Sequence, residues 1–405
     1  MPIVGAGRLG TPSELGTVQV GSTGLRIPRL GLGTVPLGNM MGLIPEDEAR
    51  DLVQTAHRLG VRLIDTAPQY GAGLAERRVG AAIASLPRSE VVIATKVGRL
   101  LRRVSTQRKV VSVLKQSVRG PERGPALLVR HATRLGRRLI GRDPTYPLGF
   151  PFDRGDERAL DAYFDFSYDG VMRSVEESLG RLGVDRIDML YIHDPDEHYE
   201  EALSGAFKAL DRLRGEGSVM AIGVGMNQSK MLARFAESAA FDCFLLAGRY
   251  TLLDQSGLRD LLPLAAKQGM TVNVGGVFNS GILADPKPGS SFDYHAVGSN
   301  AEPLQRALRM RAVCERHGVP LAAAAIQFPL GHPAVGAVLA GMRSAAEVEQ
   351  NVAHFTRRIP IDLWREMRSE GLVPDDVPLP SDLTTAEPIS VDPAHNSEHS
   401  VPESL

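Results

Sequence analysis

Residues 63–71 read Leu-Ile-Asp-Thr-Ala-Pro-Gln-Tyr-Gly, and the reading of this stretch decides the fold. An apolar run ends on the carboxylate of Asp65, and the phenol of Tyr70 follows five residues later in a turn containing Pro68 and Gly71. A short apolar run bounded by turn residues is the pattern of a strand buried on both faces, as in a parallel sheet. An Asp at its carboxyl end is either a cap or hydrogen-bonding anchor, or part of a site. The stretch alone does not separate the two.

The pattern recurs along the chain. Strands are predicted at Pro28–Gly33, Val61–Asp65, Val91–Lys96, Ile187–His193, Val219–Gly225, Phe241–Ala247, Thr271–Gly276 and Val335–Ala340. Segments with helical periodicity lie between them, among them 46–60, 169–183 and 201–217, and several end in Gly, as a left-handed C-cap favours. Eight strands alternating with helices predict a (β/α)8 barrel, an α/β TIM barrel, over residues 18–370. An open doubly wound sheet is the alternative. It lacks its fingerprint here, because the G-x-G starts at 31, 71 and 223 never complete G-x-G-x-x-G.

Two segments break the rhythm. Residues 371–405 are rich in Pro, Ser, Asp and Glu and read as a disordered tail. Residues 99–165 form a long insertion after the third strand, ahead of a helix starting near Ser167. From Arg99 to Arg142 it carries 13 Lys or Arg against the single acidic Glu122, with Leu128, Ala132, Leu135 and Leu139 at helical spacing. Loops that follow barrel strands lie on the catalytic face, so the insertion is expected as a lid or substrate wall. An anionic partner for its basic surface is the alternative.

Composition limits the rest. A formal net charge of -1 over 405 residues argues against nucleic acid as the partner. Two cysteines, Cys243 and Cys314, make no disulfide framework and suit a reducing, cytoplasmic setting. The N-terminus lacks a signal-peptide pattern, and no apolar run is long enough for a membrane span.

The strand ends carry chemistry. Asp65 ends the second strand and leads to Tyr70, Lys96 ends the third, and His193 ends the fourth. In a barrel these side chains share one rim, and buried charges need partners. The set suits proton transfer coupled to hydride transfer. A lysine ammonium near the phenol is expected to lower its pKa, Asp65 to orient Lys96, and a neutral His193 to hydrogen-bond the substrate oxygen. Tyr70 then exchanges the proton.

With these residues in place, the sequence resembles the aldo-keto reductase superfamily, most closely its D-threo-aldose (L-fucose-type) 1-dehydrogenase branch, which also includes pyridoxal 4-dehydrogenases. The resemblance rests on GLGTVPLGNM at 31–40, LIDTAPQYG at 63–71, ATKVGR at 94–99 and SYDGVMRSVEESLGRLGVDRIDMLYIHDPD at 167–196. AIGVGMNQ at 221–228, LAGRYTLLDQ at 246–255, GGVFNSGIL at 275–283 and AGMRSAAEVEQNV at 340–352 extend it. It implies a nicotinamide dinucleotide held without a Rossmann domain, and a catalytic tetrad of Asp65, Tyr70, Lys96 and His193 in the roles just given.

The resemblance also implies cofactor contacts at Gly33 and Thr34, at Asn227, and at Phe278, Asn279, Ser280 and Gly281 after the seventh strand. After the eighth strand it implies Gly341, Met342, Arg343, Glu347 and Asn351. The usual Ser-Asn pair reads Met226-Asn227 here, and Glu347 and Gly341 fall where many NADP-dependent members carry basic residues. An acidic residue near the ribose 2′ position repels a phosphate, so NAD is expected over NADP, with Arg343 the residue that could reverse this. Met40, Tyr294 and His295 are placed at the substrate pocket, which is open to a small sugar or aldehyde.

The expected activity is hydride transfer from C1 of an aldose of L-fucose or D-threo type, giving the lactone. Pyridoxal 4-dehydrogenase and generic NADPH-dependent carbonyl reductase activities are the alternatives. A non-catalytic cofactor-binding scaffold is a lesser one. A metal site in the run His193–His198 is dense in ligand types but poorly arranged to converge, and no metal is expected.

Overall fold

The computed structural model describes residues 15–103, 160–288 and 301–380. The chain opens with a hairpin, β1 (Thr17–Gln19) and β2 (Arg26–Pro28). Then come β3 (Leu30–Gly33), β4 (Leu63–Asp65) and β5 (Val92–Val97). An antiparallel pair, β6 (Arg99–Arg103) and β7 (Leu160–Phe164), interrupts the series. It resumes with β8 (Met189–His193), β9 (Ala221–Met226), β10 (Cys243–Ala247), β11 (Thr271–Gly275) and β12 (Val335–Gly341). Around the ring β3, β4, β5, β8, β9, β10, β11 and β12 pair in that order, all parallel, and β12 returns to β3. This is the predicted (β/α)8 barrel.

Period-two alternation divides the strands between two cores. Leu63, Ala94, Met189, Tyr191, Ala221, Cys243, Leu245, Ala337 and Leu339 fill the barrel interior, with Val20, Leu25 and Ile27 of the hairpin closing its floor. Ile64, Ile93, Leu190, Ile192, Val224, Phe244, Leu246, Val272 and Val338 face outward into the layer under the helices. Both faces are therefore apolar, which is why these strands read as continuous hydrophobic runs.

Helix α1 (Glu46–Arg58) shows how the outer layer forms. Ala49, Leu52, Val53 and Ala56 are buried at helical spacing, while three acidic residues in the first turn and His57 and Arg58 in the last complement the helix dipole. Burial of Leu52 and Val53 stabilises this packing by about 1.5–3 kcal/mol each. The outer ring continues through α2 (Leu74–Ile83), α3 (Tyr168–Leu182), α4 (Lys208–Gly215), α5 (Ser229–Ser238) and α6 (Leu261–Gln268). It ends with α7 (Ala301–Arg316), α8 (Leu321–Gln327), α9 (Ala345–Thr356) and α10 (Ile361–Ser369). Ser167 caps α3, its hydroxyl accepting from Gly170 N at 3.1 Å. Trp364 of α10 is buried, in keeping with a packing role.

The insertion leaves and rejoins the barrel through the two-stranded stem of β6 and β7, in register from Arg99↔Phe164 to Arg103↔Leu160. Residues 104–159, including the helical spacing from Leu128 to Leu139, lie outside the described residues. The tail boundary needs correction. Leu372, Val373, Val377 and Leu379 are each no more than 2% exposed, and Arg306 and Arg368 donate to the carbonyls of Leu372 and Val377. Residues 371–380 thus belong to the packed body. Four apolar side chains in ten residues are too sparse to show as periodicity, yet enough to cover the barrel's flank. Residues 381–405 lie outside the described residues.

Candidate active site

The interior alternation that places Leu63, Ala94 and Tyr191 in the core carries one step further to Asp65, Lys96 and His193 at the carboxyl rim. Lys96 Nζ donates to Asp65 Oδ1 at 2.9 Å, to Asp65 Oδ2 at 2.8 Å and to the Thr66 carbonyl at 2.9 Å. These bonds hold the side chain in place at 2% exposure. Burial opposes the charged form, but Asp65 and then Tyr70 outweigh it and raise the Lys96 pKa. The ammonium also lies 4.8 Å from the centroid of the Tyr70 ring.

Tyr70 sits edge-on to His193, ring centroids 6.0 Å apart and planes at 90°. Its pKa departs from expectation. Burial raises it, Lys96 lowers it, Asp65 raises it again, and the net direction is up. Lys96 does stabilise the phenolate, by its charge and by a hydrogen bond, but burial and then the nearby Asp65 carboxylate outweigh it. Tyr70 is therefore a phenol at neutral pH. His193 moves the other way: burial, then Arg99 and Lys96, hold its pKa well below the usual range, so the ring is neutral. Its Nδ1 is buried and meets no partner among the described residues. A lone pair there costs less than an orphaned N–H, which assigns the proton to Nε2.

Two neighbours were not legible as functional residues. Arg99, the first residue of β6, is 4% exposed and donates to Asp194 Oδ2 at 2.7 Å and to Gln69 Oε1. In the sequence it is one arginine in a basic run. Gly38 lies against the Tyr70 loop, where a Cβ would come within 2.6 Å of Gly71 N and of the Tyr70 carbonyl carbon. Its only signal is a Gly among several.

Opposite the tetrad, the rim is nearly bare. Gly33, Gly225, Ala247, Gly275 and Gly341 end β3, β9, β10, β11 and β12 or lie one residue short of that end. A Cβ on Gly225 would lie 3.9 Å from Lys96 Cε, so the missing side chains leave room for a flat ring beside the lysine. After β11, Asn279 and Ser280 take left-handed φ values of 44° and 58°, and Gly281 takes 98°. Asn279 Oδ1 and Ser280 Oγ are buried without partners among the described residues. Orphaned polar atoms at that cost call for a polar ligand, and a dinucleotide supplies hydroxyls and phosphates. The residues present fit a nicotinamide dinucleotide.

The other expected contacts are distributed as follows. Thr34 is buried, and its hydroxyl donates to the Asp65 carbonyl at 2.9 Å, so it anchors the first loop to the second strand. Asn227 follows β9, its carbonyl accepting from Arg249 at 3.0 Å, and Phe278 is half-buried beside Asn279. Met342 is buried and packs in the core. Glu347 spends both oxygens on Arg343, on its backbone N–H at 2.9 Å and on its guanidinium at 3.0 and 2.9 Å. Ser344 caps the N-terminus of α9 by accepting from Glu347 N at 3.2 Å, so Glu347 also takes part in starting the helix. Arg343, Ser344, Glu347, Glu48 and Met41 line a cleft of about 230 Å³, and Asn351 is one turn further along α9, buried. Met40 is half-buried in the same first loop. Tyr294 and His295 lie outside the described residues.

The ligand types in the run from His193 to His198 diverge. His198 Nδ1 lies 3.0 Å from Glu201 and its ring packs on Phe164 and Phe166, while Asp196 accepts from Gln228.

Comparison with known proteins agrees with this geometry. The sequence model of the Aldo/keto reductase family matches residues 29–370. The chain is 40% identical to the pyridoxal 4-dehydrogenase of Microbacterium luteolum, covering 87% of this chain and 97% of that protein. It is 38% identical to a D-threo-aldose 1-dehydrogenase of a Pseudomonas species, with the same coverages. An L-galactose dehydrogenase of Arabidopsis thaliana is 28% identical over 87% of this chain and 91% of its own length. Among solved structures, a glycerol dehydrogenase from Gluconobacter oxydans superposes with a TM-score of 0.64 at 22% identity, covering 90% and 98% of the two chains. At that identity it speaks for the fold alone.

Proposed function

The chain belongs to the aldo-keto reductase family, and on that premise we propose that it oxidises C1 of a cyclic aldose to the lactone. The observation that carries this reading is the rim itself: Lys96 held by Asp65 and Thr66, with Tyr70 and His193 set edge to face beside it. His193 Nε2–H orients the C1 hydroxyl. Tyr70 Oη, in its minority phenolate form, accepts its proton, C1=O forms, and the C1 hydrogen leaves with its electron pair. A bound nicotinamide supplies the acceptor for that hydride at its C4. The ring oxygen stays attached to C1, so the product is a lactone and no water enters.

The sequence relatives named for pyridoxal, D-threo-aldose and L-galactose support a hemiacetal carbon. An aldose closes on its own hydroxyl, and pyridoxal can do so through the hydroxymethyl group next to its aldehyde. The polar group of Gln69, Arg99 and Asp194 beside His193 suits a ring bearing several hydroxyls, which favours the sugar. NAD is the proposed cofactor. Glu347 and Glu48 both line the cleft beside α9 and would repel a 2′-phosphate, and Arg343, the cation that could accept one, is paired with Glu347.

An initial-rate screen of nicotinamide absorbance tests this, pairing NAD or NADP with L-fucose, D-arabinose, L-galactose and pyridoxal. Turnover with a sugar and NAD that is lost in Tyr70→Phe is the expected result. Turnover with pyridoxal alone would overturn the sugar assignment, and a preference for NADP would overturn the role given to Glu347.

A further inference from the structure

Asp194 directly follows His193 and takes a φ of 44°, a conformation that L side chains rarely adopt. Its backbone N–H is held by the Gly225 carbonyl at 3.0 Å. The left-handed turn brings its carboxylate back over the catalytic ring, with Oδ2 at 3.7 Å from His193 Nε2. That same oxygen accepts from Arg99 Nη2 at 2.7 Å. One carboxylate oxygen therefore lies between a guanidinium, which holds it, and an imidazole, which lies just beyond hydrogen-bond reach.

Arg99 is itself fixed. It is 4% exposed, it also donates to Gln69 Oε1 on the Tyr70 loop, and its Cζ lies 4.8 Å from the centroid of the Phe164 ring. Phe164 is its register partner across the stem of the insertion. The guanidinium thus reaches three elements at once: the stem, the loop of the catalytic tyrosine, and the residue after the catalytic histidine.

We propose that Arg99 is a positioning residue for His193: by holding the Asp194 carboxylate it keeps that oxygen from capturing Nε2, and so leaves the ring's N–H for the substrate oxygen. Without the guanidinium, the nearest strong acceptor for Nε2–H is Asp194, a small side-chain movement away. A carboxylate–imidazole pair would turn the donor away from substrate and favour the imidazolium. The charged and titratable groups that face His193 among the described residues are Asp65 and Tyr70 from β4 and its loop, Lys96 from β5, Arg99 from β6 and Asp194 from its own strand end. Gly225 on β9 brings none. Of these, Asp65 is committed to Lys96. Asp194 is therefore the acid placed to pair with the ring, and the Arg99 guanidinium holds the oxygen that would do so.

The assignment of the substrate oxygen rests on the function proposed above, but the control of the imidazole does not, and the test separates them. Full-length protein carrying labelled histidine is titrated by NMR, the His193 signal being assigned with His193→Gln. Wild type, Arg99→Gln, Asp194→Asn and the double variant are compared. In wild type His193 is expected to stay neutral through the physiological range. In Arg99→Gln its titration should move up by about one pH unit or more, as a carboxylate neighbour does. Asp194→Asn should stay low, and the double variant should return to the wild-type curve.

In steady-state kinetics, Arg99→Gln should lose about 10- to 100-fold in kcat/KM at mildly acid pH and recover part of it on the alkaline side. Arg99→Lys should rescue in part, because the ammonium restores the charge without the bidentate fork. An unchanged His193 titration in folded Arg99→Gln, or a double variant that fails to cancel the shift, overturns the proposal. If Arg99→Gln does not fold, Arg99→Met, which removes the charge and keeps an apolar stem against Phe164, carries the titration, and the absence of any upward shift there overturns it equally. If the titration cycle holds while no hemiacetal is turned over, the positioning role stands and the functional reading falls.

Discussion

Lys96 is the buried cation that answers the Asp65 carboxylate, and that pairing governs what its replacement does. In Lys96→Met the Asp65 carboxylate is left buried without its cation. We expect a loss of about 3–5 kcal/mol in denaturant unfolding, along with loss of turnover. Adding Asp65→Asn should restore most of the stability and none of the activity. Recovery of turnover in that double variant would remove Lys96 from the proton step. The direction of the Tyr70 shift gives a second expectation. In the proposed reaction, oxidation needs Tyr70 as the proton acceptor, and a raised pKa makes the phenolate the minority form at neutral pH. Oxidation should therefore quicken steadily as pH rises towards the alkaline range. The reverse reduction, which needs the phenol, should stay level through neutrality. A neutral optimum for oxidation with an alkaline decline would contradict this. At this scale the sequence was informative where a polar residue ended an apolar strand, as at Asp65, Lys96 and His193. It was silent on Arg99, whose burial depends on a strand pairing across the whole insertion.

The loops at the rim are shaped by contacts that no periodicity reveals. Arg78 on α2 donates to Glu46, to Asn39 Oδ1 and to the carbonyls of Leu37 and Ile44, and so staples the first loop to the second helix. That loop carries Gly38, which in turn bears on Gly71 at φ 63°. Gly38→Ala should push the Tyr70 loop outward while leaving the barrel folded. We expect about a 10- to 100-fold fall in kcat with cofactor affinity nearly unchanged, read by kinetics and cofactor fluorescence. An unaltered kcat would show that the phenol is positioned from elsewhere. The eight barrel strands were legible because both faces are apolar. Their predicted starts ran two residues early at Val61, Ile187, Val219 and Phe241, since these lead-in residues are apolar before barrel pairing begins, and at Pro28, which is paired in the hairpin and not in the barrel. In the segment 201–217 the helical pattern hid a π-helical turn at Ala202–Phe207, where Gly205 packs on the backbone of 166–168.

Over the whole molecule, composition marked two departures from the barrel and misjudged the limit of one. Ending the chain after residue 370 removes Leu372, Val373, Val377 and Leu379, each buried. At about 1.5–3 kcal/mol for a fully buried side chain, the loss should reach several kcal/mol, whereas ending it after residue 380 should cost little. Comparison of the two truncations by urea unfolding checks this, and equal midpoints would return residues 371–380 to the tail. The insertion calls for a second construction. Since Arg103 and Leu160 are register partners, an Asn-Gly turn can join the two strands directly. The closed hairpin should keep the fold and cofactor binding, and shift substrate KM if the removed segment walls the pocket. Unchanged KM for every substrate would place that segment's role elsewhere.

The stem has a consequence for how such a protein can diversify. With its two ends pinned side by side, a segment of any length can be carried at the mouth for a conformational cost that grows only as the logarithm of its length, about 0.6 kcal/mol for each doubling. Substitutions in the eight strands are bound by the packing of two cores, whereas length and content between β6 and β7 are nearly unconstrained by them. Descendants of one barrel could therefore exchange that segment wholesale and change what they admit, without renegotiating the scaffold that performs the chemistry.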